Sequence, residues 1–380
     1  MKAIYRWLSC LAFVVLCAQV VAQSTEDRIS ELETQMKEVG STNPTGTFGA
    51  DFAPGNPEIK SRWNLNVEPL YWHAKAGGTE YAYTDKGASE LNDFIAPPIS
   101  GRVKDQEFGW EWGLRVGIGR QFEDDNWDVY LDYTWYEADD STNVSKDVPS
   151  AVLALRISDV APFKSAKSHY DLNYNNINLE IGRHYFMSSK VSVRPQIGLK
   201  SAWIFDRQNV RYTLSLLPNL LVGPGADVKT KDKSVFWGMG PRTGVEVQGY
   251  IGDGFSLVGK LAGALLYGYF RASYHQNVDP TASTFGEDFK ISIKGNQHLF
   301  VPTVQAMLGL IWESYINERR QHLTLGAGYE VEYFWRANQM LQTDDVSNGL
   351  VSFGNRRFMV SRYSEDIMFY GLTLKARLDF

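Results

Sequence analysis

Both cysteines of this 380-residue chain, Cys10 and Cys17, fall within its first 22 residues. The remainder has no thiol and takes no stability from disulfides. No later run reaches the ~18 apolar residues of a membrane-spanning helix. Clusters of Lys and Arg are missing too. The net charge is −6, and setting aside Lys2 and Arg6 with the leader makes it −8, which argues against nucleic acid as a partner. His73, His169, His184, His275, His298 and His322 are scattered, without metal-ligand spacing. Gly117-Ile118-Gly119 lacks the third glycine and following helix of a nucleotide site. Gly113 and Gly117 have helix-dimer spacing but sit on a strand, where they share the inward face. Asp139-Asp140 and Asp344-Asp345 read as solvated loop charges rather than a Ca²⁺ site or a protease dyad. No enzyme, cofactor or metal is expected.

What is present begins with a leader. Lys2 and Arg6 precede an apolar stretch from Leu8 to Val21, and Val20-Val21-Ala22 offers small residues for cleavage before Gln23. Residues 1–22 therefore read as a secretory signal peptide. The residues before Cys17 are Val15 and Leu16, not the small ones of a lipid-attachment site. Residues 23–60 read as a periplasmic helix and linker. Ser24 or Thr25 caps the helix, and Ile29, Leu32, Met36 and Val39 recur at heptad-like spacing. A homo-oligomer assembled through residues 25–39 and an amphipathic tail are both open at this stage.

Residues 61–380 alternate. The run ending at Phe380 puts Met368, Tyr370, Leu372, Leu374, Ala376, Leu378 and Phe380 on one face and Gly371, Thr373, Lys375, Arg377 and Asp379 on the other. A period of two is a β-strand. Leu374, Leu378 and Phe380 have the form of the closing-strand signal read by outer-membrane assembly machinery. Nine further segments alternate in the same way, among them Phe108–Gly119 and Trp127–Trp135. The expected fold is all-β: a transmembrane antiparallel β-barrel of ten strands, with twelve or more open, and lipid against the apolar face.

The connections sort. Those near 123–126, 187–190, 251–254 and 315–321 are short, while 75–107, 138–168, 207–233, 271–297 and 337–365 are long. Strict alternation gives one rim every turn and the other every loop, the layout of an outer-membrane barrel. Aromatics form two belts. Trp110, Trp112, Trp135, Trp203, Trp237 and Trp335 lie toward the loop rim, with Trp127 and Trp312 toward the turn rim. Trp112 and Phe122 are ten residues apart, which at ~3.3 Å per residue and ~40° tilt spans about 25 Å, the height of an apolar band. Aromatic content is 13%, with 33 glycines, and both suit such a barrel.

The opposite face carries mixed charge. Glu111, Arg115, Asp128, Asp132, Glu180, Arg194 and Lys200 are expected to line the interior. So are Arg242, Glu246, Lys260, Glu330, Glu332, Lys375 and Arg377. In a water-filled lumen these would set a field for polar solutes. In a narrow ten-stranded barrel they would pair and close it. Val152–Val160 and Thr213–Val222 are apolar for exposed loops: a constriction, a further hairpin and external packing are all open.

Phe108-Gly-Trp-Glu-Trp-Gly-Leu-Arg-Val-Gly-Ile-Gly119, Trp127-Asp-Val-Tyr-Leu-Asp-Tyr-Thr-Trp-Tyr136, Ile177–Phe186 and Val193–Lys200 resemble the major outer membrane protein family of Legionella and of environmental chlamydia-like bacteria. The resemblance spans most of the chain after residue 61. It implies an abundant surface barrel with porin-like passage of small polar solutes, and host attachment or an envelope-structural role as the alternative. Its motifs are structural and carry no site residues. Chlamydial relatives are cysteine-rich and cross-linked, which this chain beyond its leader cannot match.

Overall fold

The computed structural model describes residues 62–85, 101–122, 127–147, 151–157, 162–188, 190–214, 227–278, 289–316, 321–345 and 358–380. The expected leader, helix and linker lie outside them, as does 215–222 of the apolar segment.

The strands are β1 (Arg62–Ala76), β2 (Ala82–Asp85), β3 (Gly101–Lys104), β4 (Trp110–Gln121), β5 (Trp127–Ser145), β6 (Ala151–Ala154) and β7 (Pro162–Arg183). They continue as β8 (Tyr185–Ser188), β9 (Val191–Leu214), β10 (Asp227–Gly252), β11 (Phe255–Val278), β12 (Phe289–Ile316), β13 (Gln321–Asp345) and β14 (Phe358–Asp379). Ten of them close into a ring in the order β1-β4-β5-β7-β9-β10-β11-β12-β13-β14, with β14 returning to β1 and every contact antiparallel. Closure leaves no open edge in the membrane, where an unpaired backbone group costs several kcal/mol. The four short strands are not members of the ring: β6 pairs with the start of β7 and carries β2 and β3, and β8 pairs with the start of β9.

The ring follows from the alternation. On β5, Trp127, Leu131, Tyr133 and Trp135 are exposed while Asp128, Asp132, Thr134 and Tyr136 are buried. That is an inverted globule, apolar toward lipid and polar within. A two-residue turn joins β10 to β11 at Gly252-Asp253-Gly254. Asp253 and Gly254 both have positive φ (53° and 81°), the type I′ pattern that suits a two-residue hairpin. At the β7–β9 seam, Gly198 is obligatory. A Cβ there would stand 1.9 Å from the Leu179 carbonyl oxygen.

The strands outrun their expected ends. Much of 138–168, 207–233, 271–297 and 337–365 is strand rather than loop. Beyond the lipid the outer face needs no apolar residues, so hydrophobic alternation stops while backbone pairing continues. β10 starts ten residues before Trp237, so the wall stands about 25 Å above the loop-side belt.

Candidate functional site

The interior is built in three tiers. On the turn side the expected charged residues meet in one connected network. Arg115 donates to Glu68 (2.8 Å) and to Glu330 (2.9 Å). Gln305 joins Glu330 to Arg242, whose Nε donates to Glu180 (2.9 Å). Arg194 pairs with Glu180 (3.8 Å) and donates through Nε to Asp128 (2.8 Å). Lys260 reaches Glu180 at 3.4 Å, and Thr373 donates to Glu330 at 2.8 Å. Each of the ten ring strands contributes one of these side chains.

Most of the network is out of water. Glu180 and Glu330 are 1% exposed and Arg242 is 2% exposed. Asp132 is buried beside it and accepts from Asn178 (2.9 Å). Isolated charges of this kind are prohibitive in a dry interior, and pairing with further hydrogen bonds is what makes them tolerable. A cavity of about 90 Å³ remains at this level, bordered by Asp128, Glu180, Arg194, Glu246, Lys260, Lys375 and Arg377. Glu246 touches Arg194 only at 4.0 Å, and Arg377 turns to Asp379 (2.7 Å). Glu111 is half-buried on the same inward face, outside the network.

The middle tier is apolar and was not anticipated. Trp72, Tyr136, Tyr174, Phe334 and Phe369 interlock across the barrel, with Tyr174 stacked on Phe369 at 4.5 Å and Phe334 edge-on to Tyr174 at 5.6 Å. Leu70, Leu172, Ile204, Phe236, Leu266, Phe270 and Val301 fill the rest. Lys200 and Glu332, both wholly buried, are ion-paired inside this layer, and the Lys200 ammonium stands 5.4 Å from the Phe334 ring centre. Tyr174 donates to Glu332 at 2.9 Å. β7 and β13 are five places apart in a ring of ten, so this single hydrogen bond crosses the full diameter. The sequence held the signal. Trp72 and Tyr136 share the inward parity of Glu68, Asp132 and Thr134, a signal the charge pattern of that face left unread.

The loop-side tier is closed from within. Val152, Leu153 and Ile157 pack on Phe163, Ala166, Val210, Tyr212 and Val228. Arg156, 3% exposed, donates through Nε to the Glu80 carbonyl (2.9 Å), and Tyr274 donates to the Arg156 carbonyl (2.7 Å). The described part of that apolar segment, residues 152–157, therefore packs inside the wall. β13 bends at Arg336, whose φ is 56°, and the following residues Ala337 to Leu341 are all buried.

The eight tryptophans expected in the belts face outward. Trp110, Trp112, Trp127, Trp135, Trp203, Trp237, Trp312 and Trp335 are all between 36% and 59% exposed. Trp203, Trp237, Tyr269 and His298 lie side by side in one register row. Leu374, Leu378 and Phe380 face outward. Leu378 lies between Leu65 and Leu323, and the Phe380 and Trp63 backbones exchange two 2.9 Å hydrogen bonds. Among the described residues no group of three His, Asp or Glu is placed to hold a metal.

Residues 55–380 match the family described as the Legionella pneumophila major outer membrane protein precursor. The chain belongs to this family. No curated protein matches the sequence. Among solved structures, the outer membrane protease OmpT of Escherichia coli is similar at 10% identity over 87% of this chain and 99% of that one, with a TM-score of 0.40. The Pseudomonas putida toluene transporter TodX is similar at 10% identity over 86% and 89%, with a TM-score of 0.32. The attachment invasion locus protein Ail of Yersinia pestis follows at 9% over 85% and 100%, with a TM-score of 0.24. At these values none of the three specifies an activity. Family and fold agree on an outer-membrane β-barrel protein.

Proposed function

We propose that this family member is a closed outer-membrane barrel that acts at the cell surface through its tall loop-side wall, as an adhesin or envelope-structural protein, and does not pass solutes by diffusion. One observation carries the reading: Tyr174, Glu332 and Lys200 meet across the whole diameter, inside a fully buried aromatic layer. A wall standing about 25 Å beyond the belt gives the surface role its platform. No catalytic role is proposed, since each buried carboxylate of the turn-side network is occupied by a cation or an amide. The heptad-like residues 25–39 are proposed to join copies of the chain.

The porin reading has one observation in its favour, the charged cavity of about 90 Å³ bordered by Glu246, Lys260 and Lys375. Liposome swelling separates the two. Vesicles containing the folded full chain should be no more permeable to arabinose or glycine than empty vesicles. Swelling rates that rise with protein content and fall with solute size would establish the porin instead.

A further inference from the structure

Above the loop-side belt the outer wall is segregated by charge. The register orders the outward residues of β7 and β9 to β12 into rows above Trp203, Trp237 and Tyr269. The first row carries Arg271. The second sets Arg207 beside Lys233, with Lys294 beyond. The third holds Lys231 between Asn209 and His275, and the fourth aligns Lys167, Arg211, Lys229 and Lys290. Against these nine cations, the outward carboxylates described on the same strands are Asp171, which pairs with His169 (3.0 Å), and Asp227, which pairs with Arg211. Next to β7 in the ring, β5 presents Glu137 and Asp139 outward beyond Trp135, Asp139 beside Asp171, so the cationic face has an acidic border on that side.

The lower cations are seated on the belt. Arg271 lies 5.6 Å from the Tyr269 ring centre, while Arg207 and Lys233 lie 5.1 and 4.7 Å from that of Phe205. The buried Arg207 Nε has no hydrogen-bond acceptor. Higher up, the wall is hollowed by about 640 Å³ between Lys167, Arg211, Lys229, Lys231 and Lys290. Height sets the occupant. Lys233 is four residues past Trp237 and Arg207 four past Trp203, which is about 10 Å above the belt, and Lys229 is about 20 Å above it. Directly below, Met239, Tyr267 and Phe300 are exposed and apolar. A ligand that meets both zones has acyl chains and a phosphorylated head.

We propose that this face binds the phosphorylated headgroup of outer-leaflet lipid, with Arg207, Lys233 and Arg271 at the phosphate level and Tyr267 and Phe300 against the chains. The site rests on the outer-membrane placement and is independent of whether the interior conducts. The test is titration of the folded full chain, in neutral detergent, with bis-phosphorylated lipid A and with the same lipid dephosphorylated, read by native mass spectrometry. The phosphorylated form should bind and the dephosphorylated form should not compete. Removing cations should weaken binding roughly fivefold each, on the order of a hundredfold for Arg207→Gln/Lys233→Gln/Arg271→Gln. Should the triple variant not fold, Lys233→Gln alone carries the fivefold expectation. Equal binding of the dephosphorylated lipid, or unchanged affinity in the cation variants, overturns the proposal. Heparin displacing lipid A with the same variant dependence would reassign the face to a soluble polyanion.

Discussion

Replacing Lys200 by Met should destabilise the folded barrel by about 3–5 kcal/mol, the cost of stranding one member of a buried ion pair. Lys200 and Glu332 are both fully buried, and Glu332 accepts from Lys200 and Tyr174. After the substitution the carboxylate keeps only the tyrosine. Two charges about 4 Å apart interact by ~4 kcal/mol at an effective dielectric of ~20 but by only ~1 kcal/mol in water, so the size of the loss reports whether the middle of the barrel is dry. The ammonium also leaves the Phe334 face, worth ~0.5–2 kcal/mol. The compensating change is Glu332→Gln, which removes the stranded charge and keeps an oxygen for the Tyr174 hydroxyl. The double variant should return to within ~1 kcal/mol of wild type, a strong coupling between the two sites. Urea unfolding of the refolded barrel in detergent micelles, followed by heat-dependent gel mobility and tryptophan fluorescence, gives the four free energies. A Lys200→Met loss under ~1 kcal/mol with no coupling would mean that water reaches the pair, and the closed interior would have to be abandoned.

Trp72→Ala removes a wholly buried indole that donates to Thr373 (3.1 Å) and packs on Tyr136 and Phe369. It should cost ~3–5 kcal/mol in the same assay, whereas a tryptophan beside open water would cost far less. Gly198→Ala should lower the yield of folded barrel more than any exposed Gly→Ala, because its Cβ would meet the Leu179 carbonyl across the β7–β9 seam; wild-type yield would show that this seam can spread. Glu330→Gln should destabilise by ~2–4 kcal/mol, since Arg115 would lose one of its two buried carboxylate partners while Gln305 and Thr373 retain a partner; an unchanged urea midpoint would show that the network is not buried in solution.

The ten ring strands were legible because lipid imposes a strict chemical rule on every second residue, and β5, with Trp127 to Trp135 set against Asp128 to Thr134, states it without ambiguity. The inward charges were legible for the same reason, and their parity placed Arg115, Glu180 and Glu330 on one surface. Which of them pair was not, because contacts such as Tyr174 with Glu332 join residues 158 apart in sequence and depend on how far opposite walls stand apart. The aromatic layer was missed because Trp72, Tyr136 and Phe369 look the same whether they meet lipid or one another; only parity distinguishes them. The upper strands were missed because alternation was sought in hydrophobicity, while Lys229, Lys231 and Lys233 alternate with Thr230 and Asp232 in charge and burial.

Single-channel recording in planar bilayers tests the closed interior most directly. Full-length protein shown to be folded by its heat-dependent mobility should insert without stepwise current in molar KCl at any voltage the membrane withstands. Reproducible conductance steps, lost in variants of Glu246, Lys260 or Lys375, would establish a continuous aqueous path and contradict it.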